Sequence, residues 1–337
     1  MYFFVNDYNS IAYPQILDKL REKLDEKNPG YGFDDYTKKA TDLIKKALGD
    51  DECHIYFLPG GTSANIIGAA CGMRQQDSIF SARTGHIQGH EAGSIEATGI
   101  KIELIDTLDG KLTRKSLEKA YKNFDTEYVT VPKKVYISNT TELGTVYKKD
   151  QLREIYDFCK ENDLYLFIDG ARIAAALASD QADYSLKDLT SLCDIFYLGG
   201  TKAGLPFGEA LVVKNPDLNK NIINLIKQKG FLLAKGFVSG LIWESVFEKE
   251  DFYLEGSKKA YKMAKILAEG LVEKGYKLAY PFESNQIFVR VDEKAYEKFS
   301  KIAQFEIMSE EDGEKIIRLV TSFRTEKEEV EGFLDQI

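Results

Sequence analysis

Lys202 stands in the stretch FYLGGTKAGLPFGEAL (196–211), which is otherwise small or apolar and carries no other charge until Glu209. An ammonium in apolar surroundings is costly unless it is paired or loses its proton. Gly199, Gly200 and Gly204 allow a wet surface turn; the sharper reading is a reactive amine able to form an imine. A second group is Asp169 in LYLFIDGAR (164–172), a carboxylate emerging at the end of an apolar run. Arg172 either closes a local ion pair with it or stays free to grip another carboxylate in two places. A third feature is the turn PGGTSAN (59–65), where glycines let backbone N–H groups approach an anion and Thr62 and Ser63 add hydroxyl donors. The same turn also serves as a plain N-cap. The fourth is TGHIQGHEAGS (84–94), which sets His86, His90 and Glu91 in a glycine-flanked loop.

Together these residue types meet the needs of pyridoxal phosphate (PLP). They offer a phosphate cradle, an acid for the protonated ring nitrogen, a residue to stack on the ring and a Schiff-base lysine. A nucleotide-binding protein would instead want G-x-G-x-x-G or G-x-x-x-x-G-K-[ST] at a strand end, and neither occurs there.

Such groups need a scaffold that brings strand ends together. Short apolar runs alternate with amphipathic stretches through the first half, which predicts an α/β fold with a mostly parallel sheet. HIYFLPGG (54–61) reads as a strand running into a glycine turn, further strands are expected at 77–82, 101–106, 133–140, 164–172, 193–200 and 208–214, and helices start at Thr62 and span 149–163. In such sheets ligands sit at the carboxyl ends of the strands. After about Asn215 the pattern turns to long helical periods, then strand-like NQIFVRV (285–291) and KIIRLVTSF (315–323). This predicts a large domain over 1–245 and a smaller α+β domain over 246–337.

The 337 residues are 44% hydrophobic and 29% charged, with a formal net charge of −9. That balance argues against a nucleic-acid or anionic membrane partner. No apolar run approaches the roughly 18 residues of a bilayer span, and MYFFVNDYNS lacks the basic start expected of a signal peptide. Cys53, Cys71, Cys159 and Cys193 form no CxxC and no Cys/His cluster, so no metal is expected and a reduced cytoplasmic compartment fits.

From NDYNS (6–10) to IIRLVTSF (316–323), the sequence resembles the threonine aldolase branch of the fold type I PLP enzymes, in the β-eliminating lyase family. The resemblance rests on GT-x-AN (Gly61, Thr62, Ala64, Asn65), H-x4-EAG (His86, Glu91, Ala92, Gly93), DGAR (169–172) and the lysine after the next strand. It implies that Gly61, Thr62 and Ser63 bind phosphate, with Thr201 beside the cofactor. It also implies that His86 stacks on the ring, Asp169 pairs with its nitrogen and Lys202 binds the cofactor covalently. Arg172 and Arg318 would hold the amino-acid carboxylate near Asn6, and Tyr31 would enter the site of a neighbouring subunit in a homodimer or homotetramer. The activity implied is cleavage of L-threonine or L-allo-threonine to glycine and an aldehyde. The alternatives are β-elimination or another reaction on a different amino acid, or a regulatory homologue that binds without turnover.

Two departures stand out. Where many relatives carry a histidine near the substrate hydroxyl, SNTTELG (138–144) has Thr141, which leaves His86, His90, Glu142 or a water as the base. The basic residue near the phosphate is matched only loosely, by Lys235 in LLAKGF (232–237).

Overall fold

The structure, a computed structural model, describes residues 1–311 and 313–337. After a short strand β1 (Tyr2–Phe3), seven strands build the central sheet. They are β2 (His54–Leu58), β3 (Asp77–Ala82), β4 (Lys101–Ile105), β5 (Val131–Ser138), β6 (Tyr165–Asp169), β7 (Ile195–Gly199) and β8 (Glu209–Val213). Their order is β2-β8-β7-β6-β5-β3-β4. The pairs from β4 to β7 are parallel, while β8 runs antiparallel to both of its neighbours.

Alternate side chains point to opposite faces, and both faces are covered. Val135, Ile137, Leu166, Ile168, Phe196 and Leu198 enter one core. Their neighbours Tyr136, Phe167, Ile195 and Tyr197 enter another. Burial on both sides is why these strands read as unbroken apolar runs. The helix over 149–163 forms as Lys149–Glu161, burying Leu152, Ile155, Phe158 and Cys159 on one face. The helix expected from Thr62 begins one residue earlier and runs Gly61–Ala70.

The reversal of β8 matters for the site. It places Glu209, the first residue of β8, opposite Gly199 at the end of β7 and Leu58 at the end of β2. An acid that opens a strand thus lies at the edge where the parallel strands close.

The C-terminal part holds a four-stranded sheet of β9 (Lys277–Leu278), β10 (Gln286–Val291), β12 (Glu306–Glu311) and β13 (Glu314–Val320), in the order β12-β13-β10-β9. It packs on the helix Phe252–Glu273 through Leu267, Leu271, Val289, Ile317 and Leu319. The strand β11 (Ala303–Gln304) pairs with β1, and Phe4 joins the same core. The expected boundary near residue 245 falls inside the helix Gly236–Phe247. We propose two units divided just after that helix, with residues 2–4 belonging to the smaller.

Candidate active site

The carboxyl ends of β5, β6 and β7 converge on Asp169, the last residue of β6 and 4% exposed. Arg172 is not its partner, so the local ion pair considered from the sequence does not form. Four other donors saturate the carboxylate. Oδ1 accepts from the Tyr197 hydroxyl (2.5 Å) and the Ala171 N–H (2.9 Å). Oδ2 accepts from the Tyr136 hydroxyl (2.6 Å) and Asn65 Nδ2 (3.0 Å). Burial pushes the Asp169 carboxyl up, but the field of His86 and these hydrogen bonds outweigh it and hold the group below its ordinary value. Asp169 is therefore a buried, ionised acid. Gly170 permits the close approach of β6 and β7, since a Cβ there would collide with the Tyr197 carbonyl.

Lys202 lies in a short 3-10 turn, Thr201–Ala203, directly after β7. A Cβ on Gly200 would collide with the Gly208 carbonyl oxygen, so only glycine lets this turn close against β8. The Lys202 amine makes no hydrogen bond or ion pair among the described residues, and it lies 5.9 Å from the Tyr8 ring centroid. Burial, then repulsion by Arg172, lowers its pKa, against the fields of Asp7, Asp169 and Glu209. Lys202 is half-buried, and the fields of Asp7, Asp169, Arg172 and Glu209 converge on it, which an open surface turn would not give.

Arg172 turns to the N-terminal segment. Its Nε and Nη2 donate to Asp7 at 2.7 and 3.1 Å, and Asn285 Nδ2 donates to the same carboxylate at 3.0 Å. Arg172 is thus not wholly free, as one sequence reading had it: one edge of the guanidinium is taken and the Nη1 end remains. Burial raises the Asp7 carboxyl, but Arg172, Lys202 and the hydrogen bonds prevail and bring it to about 2. Asp7, Arg172, Lys202 and Asn285 line one cavity. Arg318, on β13, reaches the same field: burial and repulsion by Arg172 both lower its pKa. Its Nη1 donates to Gln286 (3.1 Å), its Nη2 pairs with Glu306, and its buried Nε has no partner among the described residues.

On the other side of Asp169, His86 Nδ1 meets Glu91 Oε1 at 2.7 Å, and the His86 backbone N–H donates to Glu142 Oε1 at 3.1 Å. Asn65 Nδ2 joins Glu91 (2.9 Å) to Asp169, which explains an asparagine inside a packed helix. Burial pulls the His86 imidazole down, but the Glu91 hydrogen bond and the fields of Asp169, Glu91 and Glu142 leave it above its ordinary value. Burial and repulsion by Asp169 raise Glu142, against His86 and the Ser138 hydroxyl, which donates at 2.9 Å. The His90 ring lies 5.4 Å from that of His86, and burial and His86 lower its pKa.

Other expected site residues have different settings. Gly61 and Thr62 open the helix Gly61–Ala70 at the end of β2, with Thr62 exposed. The Ser63 hydroxyl instead donates to the Gly60 carbonyl (2.6 Å) and accepts the Gly60 N–H (3.1 Å), so it is spent within the turn. Thr201 donates to Glu209 at 2.9 Å. Asn6 precedes Asp7 and accepts the Tyr8 N–H at 3.1 Å. Thr141 is buried, with its hydroxyl 2.7 Å from that of Thr145. Tyr31 and Lys235 lie apart: Tyr31 is 43% exposed and lines a different cavity with Phe33 and Ile226, and Lys235 is exposed. Asp7, Tyr136, Tyr197 and Glu209 were not singled out from the sequence. Only Glu209 left a trace there, as the next charge after Lys202.

Comparison with known proteins identifies the family and the fold. The model of the beta-eliminating lyase family matches residues 15–301. A low specificity L-threonine aldolase of Pseudomonas aeruginosa is 33% identical over 301 residues, covering 87% of this chain and 85% of that protein. A solved threonine aldolase structure from Leishmania major is 40% identical with a TM-score of 0.97, over 99% of this chain and 98% of that one. An aromatic aminotransferase of Pyrococcus horikoshii, 18% identical, shares the fold with a TM-score of 0.73, over 99% and 93% of the two chains. The chain has the fold type I architecture of the PLP enzymes and belongs to the beta-eliminating lyase family.

Proposed function

We propose that the protein is a PLP-dependent aldolase that cleaves L-threonine, L-allo-threonine and related β-hydroxy amino acids to glycine and an aldehyde. The observation that supports this most is the half-buried Lys202 amine, without a hydrogen bond or ion pair among the described residues, in the field of an ionised Asp169 and of Arg172. The fit to PLP is chemical: a lysine disposed to lose its proton, a buried acid that stays charged, and a Gly60–Gly61 turn in which a Cβ on Gly60 would meet nothing within 4 Å. PLP, when bound, supplies an electrophilic carbon for the amine and an electron sink for the Cα–Cβ bond that breaks.

The residues then divide the work. Lys202 would hold the cofactor covalently through its amine. Asp169 keeps a proton on the ring nitrogen, with its charge fixed by two tyrosines, Asn65 and the Ala171 amide. His86, anchored by Glu91, would stack on the ring, while Gly61 and Thr62 would bind the phosphate. The Nη1 end of Arg172, with Arg318, holds the substrate carboxylate near Asn6. Glu142 takes the β-hydroxyl proton. Its raised pKa suits a general base, and Thr141 is committed to Thr145. We further place Tyr31 in the site of a neighbouring subunit of a homo-oligomer, and the enzyme in the cytoplasm, in keeping with four free, buried cysteines.

The test is product analysis with L-threonine, L-allo-threonine and glycine controls. Equimolar glycine and acetaldehyde are expected; ammonia and a keto acid would instead establish β-elimination, and binding without product a regulatory role. Glu142→Gln should lower kcat by about 100-fold or more while leaving the cofactor absorbance in place. An undiminished kcat would move the base to His90 or water.

A further inference from the structure

Glu209 is 3% exposed and is held by the turn that carries Lys202. Its Oε2 accepts the Gly200 N–H at 2.7 Å, and its Oε1 accepts the Thr201 hydroxyl at 2.9 Å. Both contacts fall on the two residues just before the lysine. The antiparallel course of β8 makes this possible, because Glu209 stands opposite Gly199 in the ladder. A second brace comes from Tyr253, whose hydroxyl donates to the Gly199 carbonyl at 3.0 Å.

Resting on the reading of Lys202 as the reactive amine, we propose that Glu209 is a positioning residue for Lys202. It clamps the Gly200–Thr201 turn and keeps a buried negative charge within the field of the amine. A neutral glutamine would fill the same space and accept one of the two hydrogen bonds, yet would not act on the amine by charge. Burial raises the Glu209 carboxyl to about 7, with Asp169 adding and Thr201, Gly200 and Lys202 opposing. The other titratable groups it acts on are Tyr197 and Tyr253, both pushed well above the ordinary phenol range by burial first and by Glu209 among the charges. Asp7, Asp169 and Arg172 act on Lys202 as well. Only Glu209 among these carboxylates changes charge near neutrality.

The sign follows. Above about pH 7 Glu209 is ionised and favours the Lys202 ammonium. Below it the group is neutral, and that support is gone. Removing the charge therefore frees more amine in alkaline solution and changes little in mildly acidic solution.

The experiment first traps the cofactor on the holoenzyme with borohydride and identifies the lysine by peptide mass. A lysine other than Lys202 overturns the functional reading itself. With Lys202 confirmed, the cofactor is stripped and trace acylation by acetic anhydride is followed at Lys202 from about pH 6 to 9. Glu209→Gln is expected to speed labelling at pH 8 by about threefold or more, converging with the parent at pH 6. A ratio near one at both pH values overturns the proposal and leaves Glu209 a structural residue. Thr201→Val gives a second route. It removes a hydrogen bond that favours the carboxylate, so the inflection in the Lys202 labelling profile should move to higher pH. An unmoved inflection there also overturns the proposal.

Discussion

Replacing Asp7 by asparagine tests whether the N-terminal segment is an integral wall of the site. Asp7 is 2% exposed, and its carboxyl falls from 3.8 to about 2 because Arg172 and Lys202 outweigh the cost of burial. At about 1.4 kcal/mol per unit, that drop contributes about 2–3 kcal/mol of stability at neutral pH. The folded pKa is depressed, so this contribution is present above the unfolded value of 3.8 and disappears as the pH falls through about 2. Stripping one partner from a buried ion pair gives a second estimate of about 3–5 kcal/mol. Asparagine keeps one acceptor oxygen for Arg172, which favours the lower end, so the two estimates meet near 3 kcal/mol.

The assay is urea unfolding of the parent and Asp7→Asn at pH 7, read by fluorescence of the buried Trp243. The gap between them should narrow as the pH drops from about 4 toward 2. A double variant, Asp7→Leu with Arg172→Met, removes both charges and should recover most of the lost stability. It should not recover amino-acid binding, because the carboxylate grip is gone with the arginine. A single-variant cost below about 1 kcal/mol would refute the reasoning, since that is the scale of a solvated surface pair. A double variant no more stable than Asp7→Asn would refute it equally.

Two further outcomes follow from other contacts. Arg318→Lys should weaken glycine and threonine binding by about tenfold or more with cofactor absorbance intact, because a point charge cannot replace a planar fork; a spectral titration checks this, and unchanged affinity would remove Arg318 from the site. Lys134→Met should lower the melting temperature by several degrees, since the fully buried ammonium donates to the Gly68, Ala69 and Cys71 carbonyls at 2.7, 3.1 and 2.8 Å and caps the end of the helix Gly61–Ala70; an unchanged melting curve would show that water satisfies those carbonyls.

What the sequence revealed and what it hid divide along physical lines. A strand buried on both faces announces itself by composition, so Asp77–Ala82 was readable to its ends and Asp169 and Lys202 could be placed at strand ends. A partner chosen across the chain leaves no local mark. Arg172 has Asp169 three residues away and takes Asp7 instead, because four donors, three of them remote in the sequence, already saturate Asp169. Two of those donors are tyrosines that read as strand core, since only a ring's polar tip distinguishes core from site. Glu209 was hidden for a different reason. The rule that ligands gather at carboxyl ends points away from the first residue of a strand unless that strand is reversed. Strand direction is set by connection length: Lys202 to Glu209 is too short a link for a parallel crossover, which needs about a dozen residues. The brevity of that link was present in the sequence all along. It forces β8 to turn back against β7, and the same turn brings a buried acid behind the lysine.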